Sequence, residues 1–247
     1  MINVVINAKG GVGKTTVANH ILPFLTNSKT IFEIDSSNFS SIYSLSTKIE
    51  GKTIETTQQG LEDAVDDASF LSLAQQKNIL IDTGAGEDSR RTIQALKASG
   101  LTCTYWMPIM ADMEALHPLY ATRELIGDAE CNLVFSNFRN LEEDFWFVYG
   151  DSRHGFDKDF EIFKHFDNML KAPNTTLFAK CKAFNTTIWD MAEIHKGYKL
   201  EEAQVEWGKQ GREAWGKNMA MHRLSTASWD YLQQVKETLA PCKGGKK

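Results

Sequence analysis

Short apolar runs alternate with longer amphipathic stretches along most of this 247-residue chain. Runs such as Ile79-Leu80-Ile81 and Leu133-Val134-Phe135 are uninterrupted, which is typical of strands buried on both faces. The predicted strands are residues 3–7, 30–35, 78–82, 102–109, 131–137 and 175–179. Because helical patterns such as residues 112–126 separate them, we predict an α/β fold. Its sheet is doubly wound and mainly parallel, with helices on both faces.

Beyond residue 137 the apolar spacing becomes helical. Helices are predicted within residues 141–170 and over residues 188–223. A last helix over residues 226–239 carries Trp229, Leu232, Val235 and Leu239 on roughly one face, and Pro241 ends it. No repeat or linker divides the chain. We therefore predict a single domain, residues 1–247, with a helical C-terminal portion at about 185–240.

Composition narrows the class of protein. The net charge is −5, so no overall basicity indicates nucleic acid binding. Four cysteines stand far apart, which argues against a metal site and is typical of reduced thiols. The sequence has no apolar run of ~18 residues and enters a strand without a leader-like segment, so a cytoplasmic location is expected.

A glycine-rich turn follows the first predicted strand and opens a helix. Glycines let backbone N–H groups approach an anion closely, and the helix N-terminus adds partial positive charge. Lys14 can then reach the β- and γ-phosphates, and the Thr15 hydroxyl can hold Mg²⁺. The predicted nucleotide-binding residues of the turn are Gly10, Gly11, Val12, Gly13, Lys14, Thr15 and Thr16.

The same turn carries a second lysine, Lys9, and has Ala8 where the general phosphate loop begins with glycine. Its string Lys-Gly-Gly-Val-Gly-Lys-Thr-Thr resembles the deviant Walker A loop of the ParA/MinD family of ATPases. The resemblance implies a P-loop NTPase fold and a homodimer when ATP is bound. It also implies that Lys9 reaches the nucleotide of the partner subunit, and that a partner protein stimulates hydrolysis. Lys9 and Lys14 are accordingly predicted catalytic residues.

Two acidic residues follow predicted strands. Asp82 ends an apolar strand in the Walker B manner, where a carboxylate can hold a Mg²⁺-bound water. The next residues resemble the family's second switch, which implies that a backbone N–H near Gly86 senses the γ-phosphate. Asp35 occupies the first acidic place of the family's first switch. It is predicted to support Mg²⁺, with Thr15 and Asp82, and to take part in catalysis.

The second acidic place of that switch is occupied by Ser37. Serine cannot accept a proton at neutral pH as a carboxylate does, so slow or absent hydrolysis is expected. An alternative alignment with a gap puts Glu33 and Asp35 in the two acidic places. We prefer the ungapped alignment and interpret Glu33 as a half-buried strand residue.

Asn137 follows the fifth predicted strand and resembles the family's adenine-reading asparagine. The guanine-reading motif Asn-Lys-x-Asp is absent at this place, where the sequence is Asn137-Phe138-Arg139-Asn140. The predicted cofactors are therefore ATP and Mg²⁺.

The sequence says less about the cargo, that is, what the ATP-bound dimer binds. Residues 195–223 carry six basic and four acidic side chains with two tryptophans, which we interpret as a mixed-charge helical face. The alternative is a nonspecific DNA surface. A membrane-bound last helix, as in the MinD branch, is less favoured because its polar face, with Asp230, Lys236 and Glu237, is not strongly basic, although the tail at residues 243–247 is basic.

The spelling Phe32-Glu33-Ile34-Asp35 is similar to the StbB/TraL-type proteins of conjugative plasmids. Together these observations predict a ParA-like ATPase in plasmid partition or DNA positioning. The alternatives are a MinD-like membrane-associated ATPase and a nucleotide-gated adaptor with little hydrolysis.

Overall fold

The computed structural model describes residues 1–36, 46, 48–150, 160–195 and 199–242. Three sequence predictions lie outside these residues. They concern Ser37, Lys196 within the possible DNA surface, and the basic tail at residues 243–247.

The described residues form one eight-stranded sheet in the order β3-β2-β4-β1-β5-β6-β7-β8. All neighbouring strands are parallel except β7 and β8, which are antiparallel. The predicted class, doubly wound and mainly parallel, is confirmed. The strands are β1 (Ile2–Val5), β2 (Thr30–Ile34), β3 (Glu50–Thr53), β4 (Ile79–Thr83), β5 (Cys103–Ile109), β6 (Cys131–Ser136), β7 (Asn168–Ala172) and β8 (Ala240–Pro241).

Helices connect the strands and cover both faces of the sheet. Two π-helical turns, Val17–Ile21 and Phe70–Ala74, continue α1 and α3, and 3₁₀ turns occur at Met113–Ala115 and Phe160–His165. The α-helices are α1 (Lys14–Thr16), α2 (Leu22–Thr26), α3 (Gln58–Ser69), α4 (Glu87–Ala98), α5 (Leu116–Ile126), α6 (Leu141–Asp144), α7 (Trp146–Tyr149), α8 (Leu177–Ala183), α9 (Ile188–His195), α10 (Leu200–Lys209) and α11 (Arg212–Glu237).

Successive strand residues point to opposite faces, so each strand serves two cores. Val4 and Ile81 join a core that α3, α4 and α5 cover, together with the aromatic residues that follow β6. Val5 and Leu80 join the other core, which the helix after the glycine turn, α8, α9 and α11 cover. Burial on both faces explains why these strands are continuous apolar runs.

Three sequence predictions about the C-terminal part are wrong. The strand predicted at residues 175–179 is absent; the strand next to β6 is β7, which begins seven residues earlier, and α8 occupies the predicted place. The sequence of α8 is apolar because Leu177 and Cys181, one helical turn apart, are both buried. The predicted break near residues 223–226 is absent, because α11 runs through the fully buried Ser225 without a helix breaker. Pro241 does not end that helix but lies in β8.

Two strands went unpredicted. β3 is an edge strand whose four residues are all exposed, so it lacks an apolar signal. β8 has only two residues. Within the described residues, no helix is both long enough and apolar enough to cross a membrane.

Candidate nucleotide site

The glycine turn lies at the carboxyl end of β1, which is flanked by β4 and β5. Gly11 and Gly13 have φ of +74° and +90°, values that non-glycine residues rarely adopt. Ser136 at the end of β6 braces the turn, since its hydroxyl donates to the Val12 carbonyl at 3.0 Å. The loop is thus held open at the sheet edge where α/β proteins bind ligands.

Lys14 is the first residue of α1 and is only 8% exposed. Its ammonium donates to the Lys9 carbonyl oxygen at 3.1 Å, so the lysine curls back over the loop. Burial lowers the pKa of Lys14, while the charges of Asp82 and Asp35 oppose that shift. A buried ammonium that faces the loop interior is suited to a phosphate group.

Thr15 and Asp82, two of the residues predicted to hold Mg²⁺, meet directly. Asp82 is 2% exposed and accepts a hydrogen bond from the Thr15 side chain. Burial raises the pKa of Asp82 to about 7. Its Oδ1 is buried and has no hydrogen-bond partner among the described residues. An unsatisfied carboxylate oxygen beside a threonine hydroxyl fits a hydrated Mg²⁺.

The acidic groups do not make a metal site by themselves. Among the described residues, no group of three or more His, Cys, Asp or Glu side chains is arranged to hold a metal ion. The remaining ligands would therefore be phosphate oxygens and water, the usual preference of Mg²⁺ in nucleotide sites.

Asp35 follows β2 and packs against Gly84 of the loop after β4. A Cβ at Gly84 would lie 3.1 Å from Asp35 Cγ and 2.5 Å from Asp88 Oδ2. The buried Asp88 carboxylate accepts bonds from the Ser36 backbone N–H and hydroxyl, both at 2.8 Å. Asp88 therefore ties the segment after β2 to the start of α4.

Sequence reasoning missed Asp88. The available signal was an acidic residue in the first turn of the helix that follows the predicted switch glycine, where helix N-termini favour negative charge.

Glu33 lies opposite Asp82 in the parallel pairing of β2 with β4, so both side chains point to the same face. It is only 3% exposed, more deeply buried than the half-buried strand position that the sequence suggested. The negative charge of Glu33 contributes to the raised pKa of Asp82.

Gly86 has φ of +58° and precedes α4. Its N–H donates to the Ala8 carbonyl at 2.8 Å, which joins the loop after β4 to the phosphate loop. The predicted γ-phosphate contact of this N–H would replace that bond.

Lys9 is held by its own chain. Its ammonium forms an ion pair with Asp112 and lies 3.7 Å from Glu114 Oε2. Asp112 is itself oriented, because its Oδ1 accepts from the Glu114 backbone N–H at 3.0 Å. The hydrogen bond to Asp112 raises the pKa of Lys9. Sequence reasoning identified Lys9 but not this partner, which is 103 residues away in the chain.

Asn137 directly follows β6 and is exposed, with φ of +57°. It borders two neighbouring cavities. One, of about 520 Å³, is also lined by Lys9, Gly11 and Arg139. The other, of about 280 Å³, is lined by Gly13, Thr16, Val17, Phe178 and Tyr231, among others. The sequence did not indicate the two aromatic residues, because they lie on α8 and α11, far along the chain.

No family model matches the sequence, and no curated protein matches it either. Solved structures do resemble the fold. The ATP complex of a McdA variant from Cyanothece is 11% identical, with a TM-score of 0.47, over 77% of this chain and 89% of that chain. Apo McdA is 12% identical, with a TM-score of 0.45, over 75% and 90%. FtsY from Mycoplasma mycoides is 12% identical, with a TM-score of 0.36, over 55% and 50%.

Proposed function

We infer that this chain is a ParA-like ATPase that binds Mg-ATP at the phosphate loop and forms a dimer in its ATP-bound state. One observation carries the proposal. The buried Lys14 ammonium faces the loop at the end of β1, and beside it Thr15 bonds to a buried Asp82 with an unsatisfied oxygen. This arrangement suits a triphosphate with its magnesium ion.

Each residue has a role that its position supports. Backbone N–H groups from Gly10 to Thr16 surround the phosphates, and Lys14 exchanges the Lys9 carbonyl for phosphate oxygens. Thr15 would bind Mg²⁺ directly, and Asp82 with Asp35 would orient its water ligands. The ion supplies charge neutralisation between the β- and γ-phosphates. Asn137 borders cavities beside the loop and would read the adenine edge, which favours ATP over GTP.

Lys9 is the residue that makes a dimer part of the proposal. Its ammonium lies at a cavity wall, bound to Asp112, whereas the Lys14 ammonium donates to the Lys9 carbonyl of the loop. A second phosphate-directed lysine is not needed within one subunit. We therefore expect Lys9 to leave Asp112 and bind the nucleotide of the partner subunit.

Hydrolysis is expected to be slow without a partner protein. Asp35 follows β2 and is half-buried, while Glu33 is buried in the sheet next to Asp82. A base that activates water has to reach the solvent side of the γ-phosphate. In the ungapped alignment Ser37 has that place, so a stimulating protein would supply or position what the chain lacks.

For the cargo we propose nonspecific DNA, as in plasmid partition. No side chain of α10 is buried, and the first buried residue of α11 is Leu224, so this helical hairpin exposes its mixed charges. The last helix offers little to a membrane, because Leu232 and Val235 of its apolar stripe are fully buried in the core. A dimer doubles the basic surface and so raises its affinity for phosphates.

Two experiments test this proposal. Calorimetric titration with Mg-ATP and Mg-GTP should show one ATP site per chain and weaker GTP binding; no ATP binding would end the proposal. Co-sedimentation in Mg-ATP with random-sequence DNA, and separately with anionic liposomes, identifies the cargo. Pelleting with DNA alone supports the proposal, and pelleting with liposomes alone supports the MinD-like alternative. A dimer that binds ATP without turnover and pellets with neither supports the adaptor.

A further inference from the structure

A second polar cavity lies at the opposite edge of the sheet from the phosphate loop. It is formed where β2 and β3 begin, next to the end of α2 and the turn before β4. Its volume is about 320 Å³. Because β2, β3 and β4 are parallel, their first residues share the amino edge, while the phosphate loop follows the carboxyl end of β1. We call it the amino-edge cavity.

Three lysines line this cavity in a chain whose net charge is −5. Lys29 and Lys77 are exposed, and the structure gives neither an ion pair among the residues it describes. Lys48 lies 3.9 Å from Glu193 Oε2, at the limit of an ion pair. Glu50 is the single carboxylate in the lining. The positive charge here is therefore largely uncompensated, and it favours an anion.

A threonine hydroxyl is also available at the cavity. Thr30, the first residue of β2, is only 7% exposed as a residue and lines the amino-edge cavity. The structure gives its hydroxyl no hydrogen bond among the described residues, and a hydroxyl can donate one. A ligand with acceptor oxygens would satisfy it.

The backbone around the cavity is unusual as well. Asn27 and Gln76 line it from two different turns, and both have left-handed backbones, with φ of 51° and 53°. Glycine would adopt this conformation at lower cost, and glutamine is rarely found there. Side-chain amides at both places add hydrogen-bond donors to the three ammonium groups.

We propose that the amino-edge cavity binds a small phosphorylated anion, of the size of pyrophosphate or a mononucleotide. Phosphate oxygens match the ammonium, amide and hydroxyl donors of the lining. The volume is at the lower end of the range for small-ligand sites, which suits a compact anion. This site is independent of the phosphate loop and of the ATPase proposal.

The test uses the full chain with Lys14→Met, which strongly weakens anion binding at the phosphate loop. Pyrophosphate is titrated at low salt while backbone amide resonances are followed by NMR. The amide signals of Asn27, Thr30 and Gln76 should shift with a common saturating curve. Absence of shifts there, in a protein whose spectrum is that of a folded chain, would overturn the proposal.

Two variants in the same background measure the contributions of the donors. Lys29→Gln with Lys77→Gln should weaken pyrophosphate binding at least about fivefold, since two charge-assisted contacts are lost. Thr30→Val keeps the β-branched shape and should weaken it about threefold. The matched control is Lys180→Gln with Lys182→Gln, which removes the same charge from α8 and should change the affinity less than twofold. An equal loss in the control would show that only the overall charge matters.

Two further arms identify the source of the phosphate. AMP should compete with pyrophosphate for the same amide shifts. A random-sequence DNA duplex should bind no more tightly per phosphate than pyrophosphate. If the duplex alone moves these signals, the cavity is part of a nucleic acid surface and the small-anion proposal is wrong.

Discussion

The two edges of the sheet both carry lysines, but the burial and the partners of these lysines differ. At the carboxyl edge, Lys14 is buried and interacts with the charges of Asp82 and Asp35, and Lys9 is bound to Asp112. At the amino edge, Lys29 and Lys77 are exposed and lack ion pairs among the described residues. The first edge gives each lysine a partner and buries Lys14, whereas the second leaves Lys29 and Lys77 solvated.

The difference determines how strongly each edge can bind a phosphate. A buried, oriented ammonium interacts strongly with a phosphate because competing water is excluded. An open cluster of ammonium groups attracts anions in general, with a strength that salt screens. Tight, magnesium-dependent binding is therefore expected only at the carboxyl edge.

The helix that begins with α1 and ends with α2 connects the two edges, since it starts at the phosphate loop and ends at Asn27 of the amino-edge cavity.

The largest expected effect separates the two edges directly. Lys14→Met should weaken Mg-ATP binding at least about 100-fold, which corresponds to about 2.7 kcal/mol. Lys77→Met makes the same chemical change at the amino edge and should leave the ATP dissociation constant within about twofold. Calorimetric titration of both variants measures this. Similar losses in the two would remove the distinction between the edges.

A second prediction concerns His20, in the π-helical turn of the joining helix. His20 is buried, its Nδ1 accepts from the Ile188 N–H at 3.1 Å, and burial lowers its pKa to about 4. Below its ordinary pKa near 6.5 the unfolded chain binds a proton that the folded chain does not. The contribution of His20 is therefore complete above about pH 6.5 and is lost towards pH 4, with a loss of about 3 kcal/mol.

His20→Asn keeps an acceptor but does not titrate. Urea unfolding between pH 7 and pH 4 should give a shallower loss of stability for this variant than for the natural chain. His117→Asn, which alters an exposed histidine of α5, is the control, and its unfolding free energy should fall with pH as steeply as that of the natural chain. Equal slopes for all three chains would contradict the prediction.

A third prediction tests how tightly the carboxyl edge is packed. Gly84→Ala places a Cβ 2.5 Å from Asp88 Oδ2, so the hydrogen bonds that Ser36 donates to this oxygen have to shift. Unfolding free energy should fall by about 2 kcal/mol. Gly208→Ala in α10 meets open space and should cause no loss, because alanine favours helices. Denaturant unfolding of both variants measures the contrast. A Gly84→Ala chain as stable as the natural one would show that this edge is loosely packed.

The smallest expected effect concerns the contact that holds Lys9. Asp112→Asn frees the ammonium for a partner subunit, so the ATP-bound dimer should dissociate about fivefold less readily, in line with the modest strength of exposed ion pairs. Glu114→Gln should change dimerisation less, because its oxygen lies 3.7 Å away. Glu124→Gln on α5 is the control. Sedimentation equilibrium in Mg-ATP measures all three, and a weaker dimer for Asp112→Asn would contradict the account.

The sequence predicted the sheet and the loop well because both have local signals. Buried parallel strands are apolar runs, and the phosphate loop is a contiguous motif at the end of one of them. Contacts between distant parts of the chain had no such signal. Asp112 and Asp88 bond to residues 103 and 52 positions away. The exposed β3 also lacks a local signal, since an edge strand gains its partners only in the folded sheet. The seven-residue error at β7 has another cause, because the buried Leu177 and Cys181 give α8 an apolar pattern.

The measurement that tests the central claim most directly is sedimentation velocity of the natural chain and of Lys9→Ala, with Mg²⁺ and a slowly hydrolysed ATP analogue. We expect a dimer for the natural chain with the analogue and a monomer without it. We also expect that Lys9→Ala binds the analogue but stays monomeric. A natural chain that remains monomeric when saturated with nucleotide, or a Lys9→Ala dimer of equal strength, would show that ATP does not join two subunits through Lys9.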